Sequence, residues 1–537
     1  MAFIRIILVV LSFAFIDKEQ VDNFITDSDE FNIIPKPNYI KGSGDIFQLD
    51  ENTRLYAHTD DEALDHSIRL LQKLIGTSTG FNLEEITDEN ITSNIISLVV
   101  DSNMDINEEG YELEVDKDKI SILSKSPKGI FNGVQTLRQL MPTEIESDKV
   151  MRNFKWTIPT VTIKDAPEYG YRGAMLDVSR HFFSVEDIKH FIDQIAKYKI
   201  NMLHLHLSDD QGWRIEIKSW PLLTTIGGST AVGGGDGGFY TQEQYKDIVA
   251  YAQARFITIV PEIDMPGHTN SALAAYGILN PGIKVPEEDS RVADRKTLGV
   301  DDEDKDVSPL YTGIKVGFST LDTKKEITYK FVDDVIRELS EITPGPYIHI
   351  GGDESHVTEL EDYIPFIERA QEIVSKYGKK TIGWDEVAHA KLKPTSVAQF
   401  WAKADNAKMA AEQGAKILMS PSTYAYLDMQ YDTTTLIGLH WAAYIEADDA
   451  YNWEPTELVE GVGKDQILGV EAPLWTETIT NREELEYMVF PRLTAIAEIG
   501  WTPQNQRNWE SYKTRLNQHT KRWDLMGINY YKSPRLN

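Results

Sequence analysis

The chain has 537 residues, enough for more than one hydrophobic core, and its 54 Lys and Arg against 85 Asp and Glu leave a formal charge of −31. That balance argues against nucleic acid as a partner, because phosphates would be repelled, and leaves neutral or cationic substrates. The absence of cysteine excludes disulfides, thiolate metal sites and a thiol nucleophile.

The chain opens with "MAFIRIILVVLSFAFIDKEQ", in which Arg5 precedes an apolar run from Ile6 to Ile16. This has signal-peptide length and is too short to span a bilayer, so residues 1–17 are expected to direct export to the periplasm or the extracellular space. A buried N-terminal strand is the alternative. No other stretch is apolar enough for stable membrane insertion.

Residues 30–165 alternate short extended runs with two helical patterns. "RLYAH", "SNIISLVV", "YELEV" and "KISILS" have strand character. "DEALDHSIRLLQKLIG", expected to end at Gly76, and "GIFNGVQTLRQLM" have apolar residues at helical spacing. Strands outnumber helices without strict alternation, which predicts a small α+β domain.

From residue 166 onward strand and helix alternate. "RGAMLDV", "NMLHLHLS", "FITIVPEI", "YIHIGG", "TIGWDE", "VAQFW", "KILMS" and "ILGVEAPLW" give eight strand candidates. Between them lie amphipathic patterns such as "SVEDIKHFIDQIAKYK", "TQEQYKDIVAYAQAR", "TYKFVDDVIRELSEI" and "ADNAKMAAEQG". Near-continuous apolar strands interleaved with helices predict an α/β fold, a (β/α)8 TIM barrel over residues 166–537; a doubly wound sheet is the alternative, without its glycine-rich nucleotide signature. The acidic stretch at 285–307 is expected to be a long surface loop in the third β/α unit. "WESYKTRLNQHTKRWDLMG" is a final helix expected to pack on the barrel.

In such a barrel the site lies at the C-terminal ends of the strands. The chain places Asp177 and Arg180 after the first strand, His204, His206, Asp209 and Asp210 with the second, and Glu262, Asp264 and His268 after the third. Asp353 and Glu354 follow the fourth, Trp384, Asp385 and Glu386 the fifth, Trp401 the sixth, Tyr426 and Asp428 the seventh, and Trp475 and Glu477 the eighth. Each residue alone is more simply a helix cap or a core aromatic. Their convergence around one mouth suits a carbohydrate, with rings stacked on sugar faces and acids bonded to hydroxyls.

Three readings stay open on the residues alone. A metal-dependent hydrolase would draw ligands from His204, His206, Asp209, Asp264, His268 and His349, although histidines inside a strand are more often packed and bonded to backbone. A glycosidase would use Asp353 and Glu354, which leave a Gly-Gly turn. Adjacent residues cannot easily straddle a glycosidic bond as paired carboxylates do, so both are expected to act on the same side of the chemistry. A glycan-binding protein without catalysis is the third reading.

The motifs "YRGAMLDVSRHFF", "LHLHLSDDQGWRIEI", "EIDMPGHT", "LYTGIKVGFSTL", "HIGGDES", "YLDMQY" and "GVEAPLWTE" together resemble glycoside hydrolase family 20, the β-N-acetylhexosaminidases, from about residue 31 to the C-terminus. The resemblance implies a small α+β domain before a catalytic barrel. It also implies retaining catalysis in which the substrate's 2-acetamido oxygen attacks the anomeric carbon, so that no protein nucleophile, cofactor or metal is needed. By the same likeness Glu354 is the general acid, Asp353 orients the acetamide, and Asp209 and His268 form a chain to Glu354. Arg180 would bond the sugar's O3 and O4, with Asp264 orienting it. Trp384 and Trp401 would wall the acetamide pocket, Tyr426 would donate to the acetamide oxygen, Trp475 would stack under the ring, and Asp428 and Glu477 would bond outer hydroxyls. The implied substrates are N-acetylhexosaminides, and the implied assembly is a monomer or homodimer.

Overall fold

The computed structural model describes residues 31–58, 62–88, 91–300 and 304–536. The expected signal peptide lies outside them. No helix among the described residues is long and apolar enough to cross a membrane.

The N-terminal part forms a seven-stranded mixed sheet. Its strand order in space is Tyr39–Gln48, Thr157–Asp165, Tyr111–Val115, Lys119–Ser124, Ile95–Val100, Arg54–His58 and Glu84–Ile86. The helices Leu64–Thr79 and Pro127–Leu140 bury their apolar stripes (Leu71, Ile75, Ile130, Val134, Leu137) in its core. The first helix passes the expected stop at Gly76. Gly80 takes the left-handed conformation at φ 77° and donates its N–H to the Gly76 carbonyl, because that turn needs a residue without a Cβ penalty. Three strands were not expected, Tyr39–Gln48, Glu84–Ile86 and Thr157–Asp165. The first contains Gly42 and Gly44 and a register shift before Ile46, which blurs its alternation.

The second part is a closed eight-stranded barrel in which every pairing is parallel. Its strands are β1 (Tyr171–Asp177), β2 (Met202–His206), β3 (Thr258–Glu262), β4 (Tyr347–His349), β5 (Lys380–Trp384), β6 (Val397–Phe400), β7 (Lys416–Met419) and β8 (Ile467–Leu474). All eight coincide with the runs read from the sequence. Covering helices include Val185–Ala196 and Gln242–Gln253, each opened by a capping box, and Glu326–Ile342. A further one, Leu360–Lys376, carries Pro365 in its interior, which interrupts the helical pattern in the sequence.

None of the described residues of the acidic 285–307 stretch is buried, as expected for a surface loop. It is nevertheless anchored: Ser290–Arg291 pairs antiparallel with Leu310–Tyr311, and Asp304 accepts the Gly277 N–H at 3.0 Å.

The final helix, Trp509–Met526, does more than cover the barrel. Arg515 pairs with barrel residue Glu498 and donates to the Ile33 carbonyl, while Arg522 donates to the carbonyls of Gln139 and Met141. At the seam between the two parts Asp165 accepts from Lys199 Nζ (3.1 Å), Trp501 Nε1 (2.9 Å) and the Tyr111 hydroxyl (2.6 Å).

Candidate active site

The turn after β4 explains why two glycines precede two acids. Gly351 (φ 65°), Gly352 (φ 99°) and Glu354 (φ 43°) all adopt left-handed backbone. A Cβ on Gly351 would lie 1.8 Å from Asp264 Oδ1, so the chain can approach β3 only there with a glycine. Glu354 carries the strain of positive φ itself, a cost tolerated where geometry serves function. The result turns Asp353 and Glu354 to the same ring nitrogen. His268 Nε2 lies 3.7 Å from Asp353 Oδ2 and 3.5 Å from Glu354 Oε2.

His268 is held from behind. Its Nδ1 lies 3.2 Å from Asp209 Oδ1, and Asp209 Oδ2 pairs with Arg180 at 2.7 Å and lies 2.9 Å from His206 Nε2. Burial opposes a charge on His268, but Asp209 and Asp353 outweigh it and hold the imidazole well above its usual pKa. Burial likewise pushes Glu354 up, and His268 reverses this, so its carboxyl titrates below the usual range. Asp353 goes the other way: burial, then the neighbouring Asp264 charge, raise it well above the usual carboxylate range.

Arg180 is fixed by Asp209 and by Asp177 (3.3 Å), with Trp475 beneath its guanidinium at 4.9 Å. Asp264, expected to orient Arg180, does not contact it. Asp264 accepts the Gly352 N–H at 3.0 Å instead, bracing the turn that carries the acids.

Trp401 and Tyr426 lie nearly parallel, 6.5 Å apart, and Trp441 closes on both edgewise at 5.9 Å. With Arg180, His268, Asp353, Glu354, Asp428, Trp475 and Glu477 they line a cavity of about 340 Å³. The carboxylate of Asp428, Glu477 Oε2 and Asp353 Oδ1 are buried without a hydrogen-bond partner among the described residues, so the cavity offers acceptors for a polar ligand. The structure thus gathers Arg180, His268, Asp353, Glu354, Trp401, Tyr426, Asp428, Trp475 and Glu477 in one wall, with Asp209 directly behind. Trp384 is the exception: as the last residue of β5 it points into the barrel under Trp475 and donates its N–H to Glu262 at 2.9 Å rather than lining the cavity.

Sequence reasoning missed Trp441 and Leu439 of one loop, and Ile314 and Val316. Trp441 is 55% exposed in the long loop after β7, and Ile314 and Val316 follow the acidic 285–307 loop, so no local periodicity marks them.

The two histidines inside β2, His204 and His206, are bonded to carboxylates and not, as expected, to backbone, whereas His349 Nδ1 accepts the Gly351 backbone N–H at 3.0 Å. Glu262 lies within reach of four ring nitrogens: His204 Nε2 (3.0 Å) and His206 Nδ1 at one oxygen, His349 Nδ1 (3.0 Å) and Trp384 Nε1 (2.9 Å) at the other. Three of the four, on His204, His206 and Trp384, are its hydrogen-bond partners, while His349 Nδ1 is taken up by the Gly351 N–H, which suits a hydrogen-bonded core better than a cation.

Two family models match the chain, "Glycosyl hydrolase family 20, domain 2" over residues 30–166 and "Glycosyl hydrolase family 20, catalytic domain" over 169–363 and 355–504. The chain belongs to glycosyl hydrolase family 20. It is therefore a glycoside hydrolase. Its family-20 relatives include a β-N-acetylhexosaminidase of Cellulomonas fimi, 39% identical over 94% of this chain and 96% of that one. Among solved structures it is similar to the GH20 β-N-acetylhexosaminidase of Streptomyces coelicolor A3(2), with TM-score 0.87, 42% identity, and 94% and 98% of the two chains covered. It is also similar to the GH20 exo-β-N-acetylglucosaminidase of Vibrio harveyi in complex with N-acetylglucosamine, with TM-score 0.78, 31% identity, and 94% and 79% covered.

Proposed function

We propose that the protein is an exported, exo-acting β-N-acetylhexosaminidase. It removes terminal non-reducing β-linked N-acetylglucosamine, and N-acetylgalactosamine, from chitooligosaccharides or glycans with retention of configuration. The observation that carries this reading is the convergence of Asp353 and Glu354 on His268 Nε2, which sets both acids on one side of the cavity. Two carboxylates so placed do not flank a glycosidic bond as acid and nucleophile, so the attacking atom comes from the substrate. That atom is the acetamide oxygen.

In the first step Glu354 gives its proton to the glycosidic oxygen, the C1–O bond breaks, and the acetamide oxygen bonds to C1 to form an oxazolinium ion. Asp353 accepts the acetamide N–H and offsets the positive charge that develops on the ring. Water then gives a proton to Glu354 and adds to C1 from the face the leaving group vacated as the bond from C1 to the acetamide oxygen breaks and the acetamide re-forms, so two inversions yield retention. Burial and the neighbouring Asp264 charge raise Asp353, whose Oδ1 lacks a hydrogen-bond partner among the described residues, so an acetamide N–H supplies a donor that favours its charged form. Arg180, Asp428 and Glu477 bond the sugar's hydroxyls, and Trp401, Tyr426 and Trp475 enclose its apolar faces.

The test is NMR of the first anomer released from a β-N-acetylglucosaminide, alongside the matched β-glucoside. Release of the β-anomer from the first and no turnover of the second is expected. An inverted product, or equal cleavage of both, refutes acetamide participation.

A further inference from the structure

Below the cavity an unbroken series of ionisable side chains descends into the barrel. Glu354 faces His268, and His268 faces Asp209. Asp209 meets His206 Nε2 at 2.9 Å, and His206 Nδ1 is hydrogen-bonded to Glu262. Glu262 meets His204 Nε2 at 3.0 Å, and His204 Nδ1 lies 2.9 Å from Glu471. Glu471 in turn accepts from Tyr171 and Gln399, both at 2.7 Å. The steps run from the mouth to the interior layers, where barrel cores are normally filled by Val, Ile and Leu.

Stability does not explain this choice. A buried ion pair is often no better than hydrophobic residues of the same volume, because desolvation consumes the Coulombic gain. The geometry offers another use. His206 has a carboxylate at each ring nitrogen, so its ring cannot turn or exchange tautomers without losing a partner. Burial disfavours its charge, but Glu262 and then Asp209 hold it protonated, well above the usual imidazole range. This fixed cation shares Asp209 Oδ2 with Arg180 and leaves Asp209 Oδ1 for His268. Glu262 is itself clamped by Trp384 on its other oxygen.

We propose that Glu262 and His206 are positioning residues for the acid–base step: from inside the barrel they fix Asp209, which aligns His268 on Glu354. The inference rests on the hexosaminidase reading and extends its machinery two residues deeper. Loss of Glu262 frees the His206 ring, Asp209 loses one of its anchoring donors, and His268 no longer holds Glu354 toward the leaving oxygen. The defect falls on proton donation and not on binding or acetamide attack.

Leaving-group dependence reads this out. An aryl N-acetyl-β-glucosaminide with a basic leaving group, such as phenyl, needs the proton, whereas the 2,4-dinitrophenyl glycoside departs as a stable anion. kcat/KM, which reports steps up to glycosidic cleavage, is measured for both substrates with wild type, Glu262→Gln and His206→Gln. We expect the phenyl substrate to lose at least about 10-fold more than the dinitrophenyl substrate, a fraction of the full general-acid contribution. Equal proportional losses, or none, overturn the proposal; if Glu262→Gln does not fold, His206→Gln decides by the same comparison. Wild type inactive on both glycosides refutes the hexosaminidase reading and the inference with it, while an active wild type with unselective variants refutes the inference alone.

Discussion

Glu354 and Asp353 are neighbours in sequence with unlike surroundings, and their substitutions should separate. Glu354→Gln removes a proton donor, so kcat/KM on a poor leaving group is expected to fall by about 10²–10⁴-fold, with much less loss on the dinitrophenyl glycoside. Asp353→Asn keeps the shape but turns an acceptor toward a donor at the acetamide. Both substrates are then expected to suffer, and a normal rate on either one excludes the orienting role. A third acid reports on stability. Burial, followed by the charges of Asp385 and Asp353, raises Glu386 from 4.5 to about 8, while its Oε2 accepts the Trp401 indole N–H at 3.0 Å. Because the folded state holds that proton more tightly than the unfolded chain, its contribution is full below about pH 4.5 and is lost as pH rises toward 8. Glu386→Gln cannot titrate. Its melting temperature relative to wild type should therefore climb between about pH 4.5 and 8 and level off above, and a pH-independent difference would contradict the shift.

The Gly-Gly turn after β4 is the element on which the site depends. Gly351→Ala would force a methyl against Asp264 and a left-handed backbone on a residue that resists it. Even a displacement of about 1 Å at the acids costs on the order of 10²-fold in rate. We expect that loss in kcat/KM with circular dichroism near wild type. The eight barrel strands were legible because a continuous apolar run bounded by polar strand ends is a local signal. Local pattern fails for Tyr39–Gln48, where glycines dilute the alternation, and for the first helix, where two glycines four residues apart compete to end it. At the site, the sequence named the acids, Arg180 and most of the aromatics but not their pairing. Asp264 follows β3 and Asp177 ends β1, and which of the two reaches Arg180 depends on barrel register, a non-local quantity. The depth of Trp384 follows from strand pleat, which a residue on the strand boundary leaves undetermined. Trp441 sits in a loop, where composition carries no spacing.

At the scale of the whole molecule, Asp165 joins the two parts by receiving Lys199, Trp501 and Tyr111 at once. Asp165→Ala leaves a buried ammonium without its carboxylate, which costs about 3–5 kcal/mol. Chemical denaturation should show that loss, and a change below about 1 kcal/mol would mean that the clamp contributes little. The helix Trp509–Met526 extends the same connection, since Arg515 and Arg522 reach back to the carbonyls of Ile33, Gln139 and Met141. Those carbonyls leave the ribosome 381 to 482 residues before the arginines that bind them. At about 5–20 residues per second, the early sheet waits tens of seconds for its last ligand. A message truncated shortly before codon 509 would encode every acid of the site and the Asp165 clamp, and still release a polypeptide without the two arginines that bind the carbonyls of Ile33, Gln139 and Met141.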